Sequence, residues 1–223
     1  MKILAIETSG KVCAVALTEN DKLIMEKIIE DENTHSVKLM PLINEVFKEN
    51  NMYLSDIDLF SCDIGPGSFT GIRIGVSTVK AFLDAKNKKA VGVTSLEVLA
   101  RNIEEDGMIC SLIDAKNDNV YYGLFEKNGK DYKQVEEFKF DNIDNIVNAF
   151  EDENKKIFFV GNGSIVHKDV IKSKLKNAII TEDKKINSVN ARNIALVAFE
   201  KNGQAVDSNN LSPIYLRKSN AER

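Results

Sequence analysis

The sequence is poor in the side chains that hold metals and disulfides. Among its 223 residues there are three cysteines and two histidines. Cys13, Cys62 and Cys110 are odd in number, far apart and flanked by apolar residues, which predicts three buried thiols rather than disulfides or a metal knuckle. His35 and His167 lie in different halves, and neither has a second histidine three or four residues away. We therefore predict no metal site, and a metalloprotease is disfavoured.

Long apolar runs and an excess of positive charge are also absent. No segment approaches the roughly 18 consecutive apolar residues of a transmembrane helix, and the apolar run at 3–6 is too short for a signal peptide. Thirty basic against 34 acidic residues give a net charge of -4, which does not favour nucleic acid or an anionic membrane. We expect a cytoplasmic protein without membrane contact, in which any RNA contact is local or made by a partner.

What the sequence does have is an internal repeat. An apolar run that ends in an acid, a polar loop and two further strand-like runs occupy 2–29, and the pattern returns over 108–140. Each half continues with an apolar strand, Gly-x-Gly-Ser, a helix, a short strand and another helix. At 43% hydrophobic residues the chain can bury a substantial core. We predict two related α/β lobes, at 1–105 and 106–223, of which the second is smaller.

Two helices of the first lobe show regular apolar spacing. One is predicted over 36–50, capped by Thr34 or Ser36, although Pro41 inside the pattern predicts a late start or a kink. The other is predicted over 72–86, where small residues such as Gly75 allow a neighbouring backbone to approach closely.

The segment CDIGPGSFTGIRIG, at 62–75, places four glycines after an apolar strand. It is not a Walker A loop, because Thr70 stands where a second glycine belongs when counted from Gly65, and the dinucleotide fingerprint misses by one residue. Free amides at a helix start remain able to bind an anion, helped by Ser68, Thr70 and Arg73. The alternative is a structural turn that requires small residues.

A nucleophilic site is a weaker alternative. Ser68 or Cys62 would need to meet a histidine by chance proximity, and GPGSFTG does not match the Gly-x-Ser-x-Gly nucleophile elbow. The pattern therefore does not favour a serine or cysteine hydrolase.

The acid that ends the first strand, Glu7, is followed by Thr8 and Ser9. This arrangement resembles the first phosphate loop of actin-like sugar kinases and chaperone ATPases, which duplicate the same meander in two lobes. Those folds have an aspartate and glycines there, whereas here glutamate replaces aspartate and the loop after Asp114 has no glycine. We interpret Glu7, Thr8 and Ser9 as a degenerate phosphate loop.

Together, several motifs resemble the TsaB (YeaZ) family of tRNA threonylcarbamoyladenosine biosynthesis proteins. They are ILAIETS with CAVAL, HSVKLMPLI, GPGSFTGIRIG, VTSLEVLA, IDAKNDNVYYGLF and the terminal PIYLR. The resemblance covers 2–217 and is weakest over 138–189. It implies a duplicated ribonuclease H-like or actin-like (ASKHA) α/β fold, with mixed sheets flanked by helices and a reduced second lobe.

The resemblance also implies a function. It predicts a non-catalytic partner of the threonylcarbamoyltransferase TsaD, acting with TsaE to form N6-threonylcarbamoyladenosine at position 37 of tRNAs that read codons beginning with A. The metal-binding histidines of TsaD are missing from the matching stretch 94–100. ATP and metal are then expected to belong to partner proteins, with no cofactor on the isolated chain. Without TsaD the chain is expected to form a homodimer, and tRNA contact is expected only through the complex.

In this family the helices of the first lobe form the dimer surface, here 36–50 and 72–86. The residues assigned to this interface and to the anion-binding turn are His35, Leu39, Ile43, Gly65, Gly67, Ser68, Phe69, Thr70, Gly71, Arg73, Gly75, Val76, Val79 and Phe82. An M22-type glycoprotease-like peptidase and a small actin-like ATPase remain the alternatives.

Overall fold

The computed structural model describes residues 1–30, 35–151 and 155–217. They form two compact units. Unit 1 comprises Met1–Val98 and Val189–Ile214, and unit 2 comprises Leu99–Ser188 and the segment that starts at Tyr215. This division differs from the predicted boundary between residues 105 and 106, because the segment after residue 188 returns to unit 1.

Unit 1 is built on a five-stranded mixed sheet with strand order β3-β2-β1-β4-β5. Its strands are β1 (Lys2–Glu7), β2 (Val12–Glu19), β3 (Lys22–Glu30), β4 (Leu59–Asp63) and β5 (Lys89–Val93). The first three strands form the predicted antiparallel meander, and β4 and β5 run parallel to β1. The helices α1 (His35–Glu49), α2 (Phe69–Lys86) and α3 (Ser95–Ala100) follow β3, β4 and β5.

Alternation along β1 explains why this sheet is covered on both faces. Leu4 and Ile6 point to one side and pack in a core cluster with the inner residues of α1 and α2. Ile3 and Ala5 point to the other side and pack against a later helix. Because successive residues of a strand face opposite sides, the almost continuous apolar run of β1 needs two cores.

Unit 2 repeats this plan with strand order β11-β10-β6-β7-β8. Its strands are β6 (Gly107–Asp114), β7 (Asn119–Asn128), β8 (Asp131–Gln134), β9 (Lys139–Asn142), β10 (Ile157–Val160) and β11 (Ala178–Ile180). Its helices are α4 (Ile143–Asn148), α5 (Asn162–Val166) and α6 (Lys168–Lys174). The strand-like run at 132–140 is in fact two strands, since β8 and β9 each pair with a different part of β7.

The final helix, α7 (Ala191–Glu200), corrects the expected division of the chain. Its residues Ala191, Ile194 and Ala198 pack with Ile3 and Ala5 of β1. The sequence places α7 at the end of the second repeat, but its apolar face completes the second core of unit 1.

Three local predictions can be compared with the structure. The three cysteines are free and buried, as predicted. Helix α1 begins at His35 and continues through Pro41, so it does not start after the proline, and the proposed cap Thr34 lies outside the described residues. Helix α2 begins at Phe69, three residues before the predicted start at 72.

Across the described ranges, no helix has the length and hydropathy needed to cross a membrane.

Candidate functional site at the strand ends and on the α1–α2 face

Two acids meet where β1 and β4 end. The strands are parallel, with Ile6 opposite Cys62, so the next residues along them, Glu7 and Asp63, are neighbours. Both side chains are buried, with relative exposures of 0% and 1%. The carboxyl ends of parallel strands are where α/β proteins usually bind ligands, but here these acids lie inside the core.

The pair is enclosed by hydrogen bonds from its own loops. Glu7 Oε1 accepts from the Ser9 amide at 2.7 Å, the Ser9 hydroxyl at 2.8 Å and the Gly10 amide at 3.1 Å. Asp63 accepts from the Gly65 amide at 2.6 Å and from the Ser95 hydroxyl at 2.7 Å. The Ser9 hydroxyl also lies 3.0 Å from Asp63 Oδ2, so the loop after β1 and the end of β4 meet in one cluster.

Burial changes the acidity of both groups. It raises the pKa of Glu7 well above its ordinary value, and the neighbouring charge of Asp63 raises that pKa further. Burial also raises the pKa of Asp63, although the Ser95 hydroxyl and the Gly65 amide oppose the rise by donating to its carboxylate. Burial and the neighbouring acid thus both favour the protonated form of Glu7.

The glycines of 62–75 allow α2 to touch the loop after β1. The Ser68 amide donates to the Ser9 carbonyl, and the Thr8 hydroxyl donates to the Gly71 carbonyl, each at 2.7 Å. A Cβ at Gly71 would lie 1.9 Å from the Thr8 carbonyl oxygen, and one at Gly67 would lie 2.5 Å from that of Ser9. Any Cβ at these two positions would collide with backbone, which explains the need for glycine. A phosphate between these loops would have to push apart groups that are in contact.

The polar groups assigned to an anion-binding turn have contacts of their own. The Ser68 hydroxyl caps α2 by accepting from the Gly71 amide at 3.2 Å. The Arg73 guanidinium lies over the Phe69 ring, 3.8 Å from its centroid. These contacts support the structural reading of the turn, and anion binding there stays a prediction.

The candidate nucleophiles do not lie in activating surroundings. Cys62 is fully buried, and burial raises its pKa, which disfavours the reactive thiolate. His35 Nε2 lies 3.0 Å from the Gly10 carbonyl oxygen, a hydrogen bond that connects the start of α1 to the loop after β1. Among the described residues, no group of three or more His, Cys, Asp or Glu side chains is placed to hold a metal ion.

The corresponding loop of unit 2 is organised differently. Asp114, at the end of β6, accepts from the Lys116 amide at 3.1 Å and from the Lys116 ammonium at 2.8 Å. Burial opposes ionisation of Asp114, but Lys116 outweighs it and lowers the pKa. His167 Nε2 lies 3.8 Å from Asp114 Oδ1. The acid at this strand end thus has a lowered pKa, whereas the pKa of Glu7 at the corresponding place in unit 1 is raised.

The residues assigned to a partner surface divide into two groups. Some point into unit 1 and lie in its core or against the loop after β1; they are His35, Leu39, Ile43, Gly71, Gly75, Val76, Val79 and Phe82. The others, Ser68, Phe69, Thr70 and Arg73, are exposed. Gly65 is buried and Gly67 half-buried in the turn. The apolar stripe of α2 is thus the side that packs on the sheet, as a stripe at helical spacing usually is.

The sequence places Val37 and Met40 in the apolar stripe of α1, but the structure places them on its outer side. Val37 is 70% exposed and Met40 50% exposed, next to the exposed Pro41. On α2 the exposed Phe69, at 38%, continues the same kind of surface. The spacing of Val37, Met40 and Ile43 fits one helical stripe, so the sequence alone does not show that the first two are exposed. We call Val37, Met40, Pro41, Phe69, Ser77 and Ala81, all exposed, the outer face of α1 and α2.

The repeated meander, the parallel strands that follow it and the intervening helices define a duplicated actin-like (ASKHA) α/β protein. Matching turns show the duplication in detail, since Gly65 and Gly161, the first glycines of the two Gly-x-Gly-Ser motifs, have φ values of +105° and +103°.

Comparisons with known proteins identify the family within this fold class. Residues 24–223 match the model of the family described as TsaD: tRNA N6-adenosine threonylcarbamoyltransferase. The tRNA threonylcarbamoyladenosine biosynthesis protein TsaB of Bacillus subtilis is 33% identical over 226 residues, covering 100% of this chain and 96% of that protein. The Escherichia coli protein of the same name is 28% identical over 130 residues, 57% of this chain and 56% of that protein. The chain belongs to the TsaB (YeaZ) family.

Solved structures show the same fold. YeaZ from Pseudomonas aeruginosa superimposes with a TM-score of 0.83 at 23% identity, covering 96% of this chain and 99% of that chain. A second structure, described as an uncharacterized protein with similarity to peptidase YEAZ from Pseudomonas aeruginosa, gives a TM-score of 0.84 at 22% identity, covering 97% and 99%.

Proposed function

We propose that this chain is a non-catalytic partner of TsaD in the formation of N6-threonylcarbamoyladenosine at position 37 of tRNAs that read codons beginning with A. TsaE belongs to the same assembly. The proposal is supported by the names of the relatives in Bacillus subtilis and Escherichia coli, which are tRNA threonylcarbamoyladenosine biosynthesis proteins.

The observation that carries the proposal is the outer face of α1 and α2. Val37, Met40 and Phe69 expose large apolar side chains on two helices whose opposite sides are packed in the core. Large apolar side chains exposed on two neighbouring helices are characteristic of a site where another protein binds. We assign this face to TsaD and, in the absence of TsaD, to a second copy of the chain, which would use the same surface on both subunits.

The strand ends support a partner role rather than catalysis. Glu7 and Asp63 are sealed in the core, and the glycines of α2 lie directly against the loop that follows β1. The groups at the usual ligand end of the first sheet are thus committed to packing. ATP and metal are assigned to the partner proteins, and tRNA is contacted through the assembly.

Reconstitution of the reaction tests this function. Purified chain, TsaD and TsaE are incubated with tRNA, threonylcarbamoyl-adenylate, ATP and a divalent metal ion, and the modified nucleoside is measured by mass spectrometry. We expect product from the complete mixture and none when the chain is assayed alone. Product formed by the chain alone would overturn the non-catalytic role, and full activity of TsaD and TsaE without the chain would overturn the partner role.

A further inference from the structure

The proposed function gives no role in partner binding to one buried pair of carboxyl groups. Glu7 and Asp63 are 0% and 1% exposed and contact each other at the ends of two parallel strands. Two buried carboxylates in contact repel each other strongly, so such a pair holds one proton between them.

The hydrogen bonds around the pair favour one oxygen of Glu7 as the site of this proton. Glu7 Oε1 accepts three bonds from Ser9 and Gly10. Glu7 Oε2 is buried and, among the described residues, receives no hydrogen bond. A buried carboxylate oxygen without a donor is unfavourable, whereas a protonated Oε2 carries its own donor, and Asp63 is a hydrogen-bonding neighbour of the Glu7 side chain. Asp63 already accepts from the Gly65 amide and the Ser95 hydroxyl, as an ionised acceptor should.

The other groups around Glu7 are consistent with a neutral acid. They are Cys13 on β2, Ser9 in the loop after β1, Cys62 and Asp63 on β4, Ser95 at the start of α3, and His35 on α1, which reaches the loop through the Gly10 carbonyl. Burial, with Glu7 nearby, raises the pKa of Cys13 to about 11, so this thiol is also neutral.

We propose that Glu7 and Asp63 share a single proton and that this protonated pair positions the start of α2 for partner binding. Few bonds connect the protonated pair to the start of α2. Glu7 Oε1 orders Ser9, whose carbonyl accepts from the Ser68 amide, and Ser68 begins α2. Loss of the proton places two negative charges under this loop and releases the first turn of α2, which carries Phe69. The inference rests on the proposed function, because the outer face is the surface assigned there to TsaD.

The ionisation of Glu7 can be read directly in the intact protein. In protein labelled with carbon-13 at the glutamate carboxyl carbons, the Glu7 resonance is assigned by its loss in Glu7→Gln. We expect it to remain at the position of a protonated acid at neutral pH, while exposed glutamates titrate near their ordinary pKa of about 4.3. An ionised Glu7 at neutral pH would overturn the inference.

The pH dependence of folding gives a second test with a fixed sign. A pKa raised in the folded state stabilises the protein at low pH, and this stabilisation is lost as the pH rises towards the folded-state pKa. From about pH 5 to about pH 7, we expect the unfolding constant of the wild type to rise up to about tenfold per pH unit relative to Glu7→Gln. The amide of glutamine keeps a donor to Asp63 and has no proton to lose. Asp114→Asn, the matched change in unit 2, should leave this slope in place, and equal slopes in wild type and Glu7→Gln would overturn the proposal.

Partner binding separates a positioning role from a merely structural one. By calorimetry with TsaD at neutral pH, we expect Glu7→Gln to bind within about twofold of the wild type, and a folded Glu7→Ala to bind at least about tenfold more weakly because Ser9 loses its acceptor. Equal binding by wild type and Glu7→Ala would overturn the positioning role. Absence of TsaD binding by the wild type, with the slope and the carbon shift as expected, would overturn the proposed function and support the shared proton.

Discussion

The two units have the same order of strands and helices, yet the acid at the end of the first strand has opposite surroundings in each. In unit 1 Glu7 is buried against a second acid, and its pKa is raised. In unit 2 Asp114 is bound by the amide and ammonium of Lys116, and its pKa is lowered. One loop became part of a core, and the other kept an ionised acid.

The helices after the two Gly-x-Gly-Ser motifs also differ between the units. Unit 1 has the single helix α2 of 18 residues. Unit 2 has α5 of five residues and α6 of seven, separated by His167. Counted from the motif serine, His167 stands where unit 1 has Gly71, the residue that touches Thr8. In unit 1, α2 is in close contact with the loop after β1 and is a single long helix. This helix supplies part of the outer face.

The largest expected effect comes from removing this close contact. In Gly71→Ala, the new Cβ would lie 1.9 Å from the Thr8 carbonyl oxygen, so helix and loop must separate. We expect a loss of about 3 kcal/mol of unfolding free energy, the upper end for overpacking, measured by urea denaturation. Gly203→Ala is the control, because a Cβ at that residue would have no atom within 4 Å, and it should change stability by less than about 0.5 kcal/mol. Equal effects of the two substitutions would contradict the explanation of the glycine.

A smaller effect is expected at the acid of unit 2. Asp114→Asn removes the charge that Lys116 neutralises, and we expect a loss of about 1 kcal/mol at neutral pH. A lowered folded-state pKa stabilises the protein above the ordinary value of about 3.9 and stops doing so as the pH falls through the folded-state pKa. The difference between wild type and variant should therefore shrink in acid, as measured by denaturation at several pH values. A difference that grows in acid would contradict the comparison with Glu7.

An effect of the same size as that of Asp114→Asn is expected at the start of α2. Ser68→Ala removes the cap on the Gly71 amide and should cost about 1 kcal/mol. Ser68→Asp, which can still cap, should lie within about 0.5 kcal/mol of the wild type. Thermal unfolding distinguishes these outcomes, and similar losses in both variants would assign the effect to something other than the cap.

Much of the fold was accessible from the sequence because it repeats. Two meanders and two Gly-x-Gly-Ser turns predicted paired α/β units, and short apolar runs that end in an acid, such as 2–7, identified the strands. The sequence could not show which unit α7 packs on, because an apolar helix face does not specify its partner sheet. The structure shows that α7 packs against Ile3 and Ala5 of unit 1.

The candidate site was predicted less completely for a physical reason. Helical spacing identifies the apolar stripe of a helix, and the stripe of α2 at Val76 and Val79 faces the core. The exposed residues Val37 and Met40 become visible as a surface only when neighbouring helices are placed side by side. The shared proton was hidden as well, because Glu7 and Asp63 are far apart in sequence and meet through strand pairing.

The most direct test of the central claim is TsaD binding by two matched valine variants. Val37, on the outer face, is 70% exposed, and Val166, on α5 of unit 2, is 60% exposed. By sedimentation with purified TsaD, we expect Val37→Glu to weaken the complex at least about tenfold, because a charge would be buried at the interface, and Val166→Glu to bind as the wild type does. Equal binding by Val37→Glu and the wild type would contradict the assignment of this face to the partner.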